Sequence, residues 1–228
     1  SKHKFNRVNH FEMPDIPENG GTVTSLSAQK KDANRCSIFL NGKYAFGVHM
    51  DVGLNQGTQK GMELSAEQCA ELIQEDLYFK GLKRCLDFIN YRPRTRKEIT
   101  SRLEQLGIPT DLADRICARL DELGYIDDQM FAEQWSASRF RSKGFGPVRI
   151  KQELIQKGIS VSIAEATVLD VMPESKIQAQ LRNQLDLALR RYRKEADPSV
   201  KKRKIIQFLG RRGYPSASIL AELANRKL

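Results

Sequence analysis

Apolar and polar positions follow two different periods along the chain, and the change falls near residue 65. Before it, apolar residues come in short β-rich runs. The stretch "RCSIFLNGKYAFGVHM" holds two such runs joined by Asn41 and Gly42, a dipeptide suited to the positive φ angles of a tight hairpin turn. Upstream, "TVTSLSAQ" alternates loosely with Val23, Leu26 and Ala28, and "KKDAN" reads as a turn. These runs predict a small antiparallel sheet of about three strands ending near Leu54, too small to stand without the next helix. Residues 1 to about 20, polar and carrying Pro14, Pro17, Gly20 and Gly21, predict a loose arm.

From Ser65 the period is helical. Ser65 and Gln68 have capping-box spacing, and Cys69, Leu72, Ile73 and Leu77 follow at helical intervals. One skeleton then occurs three times: Ile99, Leu103, Gly107; Ile150, Leu154, Gly158; and Ile205, Leu209, Gly213. Each copy is followed by an apolar residue, Ile108, Ile159 or Tyr214. Residues four apart share a helix face, and glycine supplies a left-handed stop. A longer helix is expected before each copy ("LKRCLDFINY", "DQMFAEQWSASRF", "QLDLALRRYRKE") and another after it ("TDLADRICARLDEL", "SIAEATVLDV", "SASILAELANR"). Thr95 with Glu98, and Ser162 with Glu165, repeat the capping-box spacing.

The expected fold class is therefore mostly α: three tandem three-helix, helix-turn-helix-like modules in an elongated arrangement, preceded by a small antiparallel β element. The expected boundaries are 1–64 for the arm and β element, 65–78 for a connecting helix, and 79–126, 127–173 and 174–228 for the modules.

Charge sharpens this picture. The chain has 228 residues and a net charge of +10. From Lys176 onward there are 14 Lys or Arg against 4 Asp or Glu, so the whole surplus lies in the last quarter of the chain. The clusters Arg190, Arg191, Arg193, Lys194 and Lys201, Lys202, Arg203, Lys204, read as helical, together with Arg211 and Arg212, favour an anionic partner. DNA and an acidic protein groove both satisfy that field. A second cluster, Arg139, Arg141, Lys143, Arg149 and Lys151, surrounds "KGFGP", whose glycines read as a turn between helices, the spacing of a phosphate-binding P-loop being absent.

Other chemistry is sparse. Cys36, Cys69, Cys85 and Cys117 lack ligand spacing and are expected as reduced thiols. Asp127 and Asp128 read as a helix cap and first-turn acid rather than a catalytic pair. His3, His10 and His49 all precede the modules, so no nucleophilic constellation forms there. Phe131 and Trp135 share a helix face as core residues, and Tyr125 is expected to close a module junction. No catalytic residue, cofactor or metal is expected. Without a long apolar run or a signal-peptide core in "SKHKFNRVNHF", the protein is expected in the cytoplasm.

The stretch "LGYIDDQMFAEQW", followed by Arg139, Gly144, Gly146, Pro147 and "RIKQELIQKGI", resembles the central motif of the RecX regulatory proteins of bacteria. "RPRTRKEITSRLEQLGI" is similar to their first-module signature, with Ile99 and Thr100 where Glu-Leu is common. The resemblance covers about 70 residues at ordered spacing; the third module is similar mainly in helix spacing. It implies a non-enzymatic, monomeric negative regulator that binds the RecA nucleoprotein filament and damps strand exchange, ATP hydrolysis and SOS coprotease activity. Auxiliary contacts to single- or double-stranded DNA are also implied. The other reading is a helix-turn-helix transcriptional regulator, which requires a recognition helix that reads base edges. "SIAEATVLDV" offers few such residues. A nuclease is disfavoured by the missing acid and metal clusters.

Overall fold

A computed structural model describes residues 10–30 and 32–226; residues 1–9 of the expected arm, including His3, lie outside the described residues, as do position 31 and the last two. The chain forms two compact units. One takes the residues up to Arg94 together with Ile99–Ile126, the other Thr95–Glu98 together with Asp127–Leu228. Among the described residues no helix is long and apolar enough to cross a membrane.

The first unit begins with strands β1 (Gly21–Gln29), β2 (Asp32–Leu40) and β3 (Lys43–His49), then a short helix α1 (Met50–Asn55) and strand β4 (Glu63–Leu64). The sheet is antiparallel, in the order β3-β2-β1-β4. It thus has a fourth strand that the periodicity misses, since two residues are too few to show alternation. Residues 50–55, expected as the end of a strand, are helical, with the His49 imidazole accepting from the Asp51 N–H. Most of "KKDAN" also differs from expectation: Asp32 onward already belongs to β2, pairing with β1. The Asn41-Gly42 turn is as expected, with φ of 49° and 80°.

Alternation puts Ile38, Leu40, Phe46 and Val48 on one buried face. They pack with Cys69, Leu72 and Ile73 of α2 (Ala66–Tyr91), whose capping box between Ser65 and Gln68 is formed in both directions. Helix α2 runs unbroken through residues 78 and 79. From Leu77 onward, with Cys85, it enters another core, shared with α3 (Arg96–Gln105) and α4 (Thr110–Glu122). Gly81 permits the approach, because a Cβ there would lie 2.6 Å from Ile116 Cδ1. Cys85 is buried in this core, which pushes its thiol pKa up to about 12, and all four cysteines are free thiols. Tyr125 follows α4 with 46% of its surface exposed.

The second unit contains α5 (Asp128–Lys143), α6 (Pro147–Gln156), α7 (Val161–Val171), α8 (Glu174–Arg191), α9 (Pro198–Arg211) and α10 (Ser216–Asn225) around one core. Asp127 caps α5 by accepting from the Met130 N–H at 2.7 Å, and Asp128 accepts from the Arg96 N–H at 3.0 Å, as a cap and a first-turn acid would. Thr95 and Glu98 form the expected reciprocal cap. Ser162 and Glu165 do not: Ser160 is the cap, accepting from the Ile163 N–H, and Glu165 pairs with Lys151. Position 160 wins because its backbone is extended while Ser162 is already inside the helix.

The three repeated glycines have φ of 76°, 90° and 88°. In each copy the next residue's N–H reaches back to the leucine carbonyl, Ile108 to Leu103, Ile159 to Leu154 and Tyr214 to Leu209, at 3.1, 3.1 and 3.3 Å. Such a turn satisfies carbonyls that a helix end leaves open. It has a second use. The carbonyl just before each glycine accepts a bond from elsewhere in its own unit: Leu106 from the Phe11 N–H at 2.9 Å, Lys157 from Thr95 Oγ1 at 2.7 Å, and Arg212 from the Gly146 N–H at 2.7 Å. The repeated glycine is a docking point as well as a stop. The arm is consequently tied at His10 and Phe11, with the His10 ring against Gly107, rather than loose up to residue 20.

Gly210 is the contrasting case, a helical glycine whose added Cβ would meet nothing within 4 Å. Gly210→Ala should therefore stabilise the protein by about 0.5–1 kcal/mol, since alanine loses less backbone entropy in a helix. Denaturant titration checks this, and a loss of stability would mean that α9 is packed differently along that side.

Candidate anion-binding cleft

Burial of Ile205 and Leu209 orients α9, so that Phe208, Arg211 and Arg212 fall together at its C-terminal end. The end of α8 brings Arg191 and Tyr192 beside them, the α5–α6 turn adds Phe145, and the first turn of α6 adds Arg149. These seven residues line an open cleft of about 290 Å³. The turn is clamped there from both sides. Tyr214 Oη donates to the Gly144 carbonyl at 3.2 Å, the Arg212 guanidinium donates to the Lys143 carbonyl, and the Val148 N–H donates to the Gly213 carbonyl at 3.1 Å.

The guanidiniums are held against rings. Arg149 Cζ stands 3.7 Å from the Phe145 centroid and Arg212 Cζ 4.7 Å from that of Phe208. Arg191 Cζ lies 5.8 Å from Phe208 and 6.0 Å from Tyr192, and those two rings meet edge-on at 6.4 Å. Such contacts position a cation without neutralising it. Arg149 is further tied to Glu153 Oε1 at 3.3 Å and to the Arg211 carbonyl at 3.0 Å. Burial lowers the Arg212 pKa from its ordinary value; proximity to Tyr214 opposes the shift, while the charges of Arg149 and Arg191 add to it. The guanidinium remains charged at neutral pH, so the repulsion among these cations persists.

Of the fifteen basic residues expected to meet a partner, the fold gathers four here: Arg149, Arg191, Arg211 and Arg212. Arg139 lies in a different arrangement, its Cζ 4.1 Å from the Trp135 centroid and its Nε 3.1 Å from Glu153 Oε2. Trp135 Nε1 donates to the same carboxylate at 3.1 Å, and Phe131 stacks on Trp135 while buried in the core. Phe131 and Trp135 are thus packed residues. Lys151 pairs with Glu165 and Lys204 with Glu195. Arg141 donates to the Ala137 carbonyl of its own helix. Arg190, Arg193, Lys194, Lys202 and Arg203 are exposed outside the cleft, as is Lys143, and Lys201 is half-buried on α9. "RRYRK" is not helical throughout: α8 ends at Arg191, and Tyr192 to Lys194 form its C-terminal turn, where adjacent cations suit the exposed carbonyls.

The three rings of the cleft were absent from the sequence expectation. A signal for them exists in the spacing aromatic-x-x-x-Arg, which recurs as Trp135 with Arg139, Phe145 with Arg149 and Phe208 with Arg212. Four residues apart on a helix, or across a helix start as for Phe145, ring and guanidinium meet.

Family models match the chain in four successive segments: the regulatory protein RecX N-terminal domain over 21–65, and the first, second and third three-helix domains of RecX over 82–120, 127–168 and 175–221. The regulatory protein RecX of Listeria monocytogenes serotype 4a (strain HCC23) is 32% identical over 197 residues, 85% of this chain and 71% of the relative. That of Bacillus velezensis is 30% identical over 201 residues, 88% of this chain and 76% of the relative. A crystal structure of a regulatory protein RecX superposes with a TM-score of 0.70 at 29% identity, covering 86% of this chain and 96% of that one. RecX from Lactobacillus salivarius superposes with a TM-score of 0.59 at 29% identity, covering 66% and 98%. With a β element and three helical modules matched in order, this chain belongs to the RecX family of regulatory proteins.

Proposed function

We propose that this protein binds the RecA nucleoprotein filament and restrains it, lowering strand exchange, ATP hydrolysis and SOS coprotease activity through extended protein contacts with DNA contacts in support. The observation that carries this reading is the match of all four RecX segments in sequence order. In this reading the protein is a cytoplasmic monomer that performs no catalysis and needs no cofactor, and its basic last module faces an anionic surface of the filament.

The transcriptional-regulator reading draws little support from the helices. It needs an exposed helix bearing side chains that read base edges, whereas α7 exposes Val161 and Leu169, 52% and 77% accessible.

The test is binding to RecA assembled on single-stranded DNA with a slowly hydrolysed ATP analogue, beside the same DNA bare, across a salt series. Tight and comparatively salt-resistant binding to the filament is expected. Equal affinity for bare DNA with a steep slope in both would replace this reading with DNA binding alone. Replacing Lys201, Lys202, Arg203 and Lys204 together by Glu should weaken inhibition of RecA ATPase while circular dichroism retains the helical signal. Unchanged inhibition at matched concentrations would remove this run from the contact surface.

A further inference from the structure

We infer that the cleft at the end of α9 is a binding site for the sugar-phosphate backbone of single-stranded nucleic acid, with Arg191, Arg211 and Arg212 as its phosphate contacts. As the nucleic-acid contact of the regulator proposed above, it rests on that reading for its biological setting, but its chemistry stands on the cleft itself.

Three observations support it. The first is charge balance within the cleft. No Asp or Glu lines it among the described residues, and Glu153, which meets Arg149, is shared with Arg139. Arg191 and Arg211 have no carboxylate partner among the described residues, unlike Lys151 and Lys204. The second is positioning. Phe208 lies beneath both Arg191 and Arg212, and Arg212 is also anchored to the Lys143 carbonyl, so these two donors are oriented before any ligand arrives. A guanidinium presents a planar fork of N–H donors that matches two phosphate oxygens, and pre-orientation removes much of the entropy lost when a long side chain is ordered.

The third is size and composition. The concavity, about 290 Å³ and open to solvent, is comparable in size with a single nucleotide unit. Its walls combine aromatic rings with guanidinium planes, the two kinds of surface on which unpaired bases stack. Flexible exposed lysines would serve a diffuse counterion role equally well; a cluster of ring-supported arginines is suited to a defined anion.

The experiment compares two charge-matched double variants of the intact protein. Arg191→Ala with Arg211→Ala removes two cations from the cleft, and Arg190→Ala with Arg193→Ala removes two exposed cations outside it. Binding of each to an oligothymidylate, and to an oligoglutamate peptide of equal charge, is followed by fluorescence anisotropy over a salt series, with thermal melting as a check on folding. The cleft variant should bind oligothymidylate about tenfold or more weakly, and its slope of log K against log salt should shrink by about 1.4, two contacts at ~0.7 each. The outer variant should lose roughly threefold or less, the effect of screened field alone.

Equal losses in the two variants, or no oligothymidylate binding by the unaltered protein, would overturn the site. A cleft variant that loses oligoglutamate as strongly as oligothymidylate would assign the cleft to an acidic protein surface instead. The unaltered protein's binding to RecA filaments, measured in parallel, tests the regulator reading separately: a protein that binds oligothymidylate through the cleft but ignores filaments refutes that reading and leaves the site standing.

Discussion

Asp76→Ala should destabilise the first unit by about 3–5 kcal/mol, the loss expected when one member of a buried ion pair is removed and its partner remains. The Asp76 side chain is only 5% exposed on α2. Its carboxylate accepts from both Arg35 terminal nitrogens at 3.0 Å and from the His49 N–H at 2.7 Å, and it pairs with Lys80 Nζ at 2.8 Å. One carboxylate thus joins β2, the end of β3 and α2. Lys80→Ala should matter far less, because Arg35 would still hold the carboxylate in a two-point contact. Urea titration distinguishes the two, and equal losses would mean that Arg35 is not the principal partner.

The same residue predicts an acid sensitivity. Burial by itself would raise the Asp76 pKa, but the hydrogen bonds and charges of Arg35 and Lys80 outweigh it and hold the carboxylate below its ordinary value. A group with a depressed folded pKa contributes stability that is fully present above its unfolded pKa, about 3.9, and is lost as pH falls through the folded value. Stability should therefore decline on acidification below about pH 4, more steeply in the parent than in Asp76→Asn. Parallel acid titrations of the two would contradict the assignment.

Gly213→Val should destabilise the second unit by more than about 3 kcal/mol, from two sources that act together. Glycine has φ +88° there, a left-handed conformation that strains other residues by about 1–2 kcal/mol and a β-branched one most of all. An added Cβ would also lie 2.4 Å from both the backbone N and the Cβ of Arg149, atoms that no rotamer change can move aside. Trp135, the single tryptophan, lies in this unit, and its fluorescence should report a midpoint lower by about 10 °C or more. Gly146→Ala separates the two sources. Gly146 has φ −83°, so alanine meets no left-handed strain, but its Cβ would stand 2.5 Å from the Gly213 carbonyl oxygen. A harmless Gly146→Ala would show that the turn docking is not tight, leaving the strain of the left-handed residue as the whole effect.

Much of this architecture is legible in the chain. The Ile-Leu-Gly skeleton announces its helices because a buried helix face must recur every three or four residues, and each of the six Ile and Leu positions is buried. Asn41-Gly42, the Ser65 and Thr95 caps and the Asp127 cap are local chemistry, complete within four residues. Strand β4 and the cap of α7 were missed because two paired residues carry no period and two serines two apart offer the same signal.

The binding surface is a different matter. Arg191 and Arg211 are equally basic in sequence to Lys151 and Lys204, but the first two line a common cleft and the last two are paired to acids. Nothing in spacing separates these fates, because a solvated charge is compatible with any exposed position and so leaves no periodic trace. Asp76 shows the same limit from the inside: it reads as one more polar residue of α2 until Arg35, 41 residues earlier, is brought against it. Helices α2 to α10, their stops and the residues that fill the cores are written into local stretches of chain, since apolar burial and backbone geometry act over a few residues. Which charges are neutralised and which are gathered follows from the folded arrangement, since Coulomb partners are chosen by distance in space, and the turns that dock at Gly158 and Gly213 set those distances.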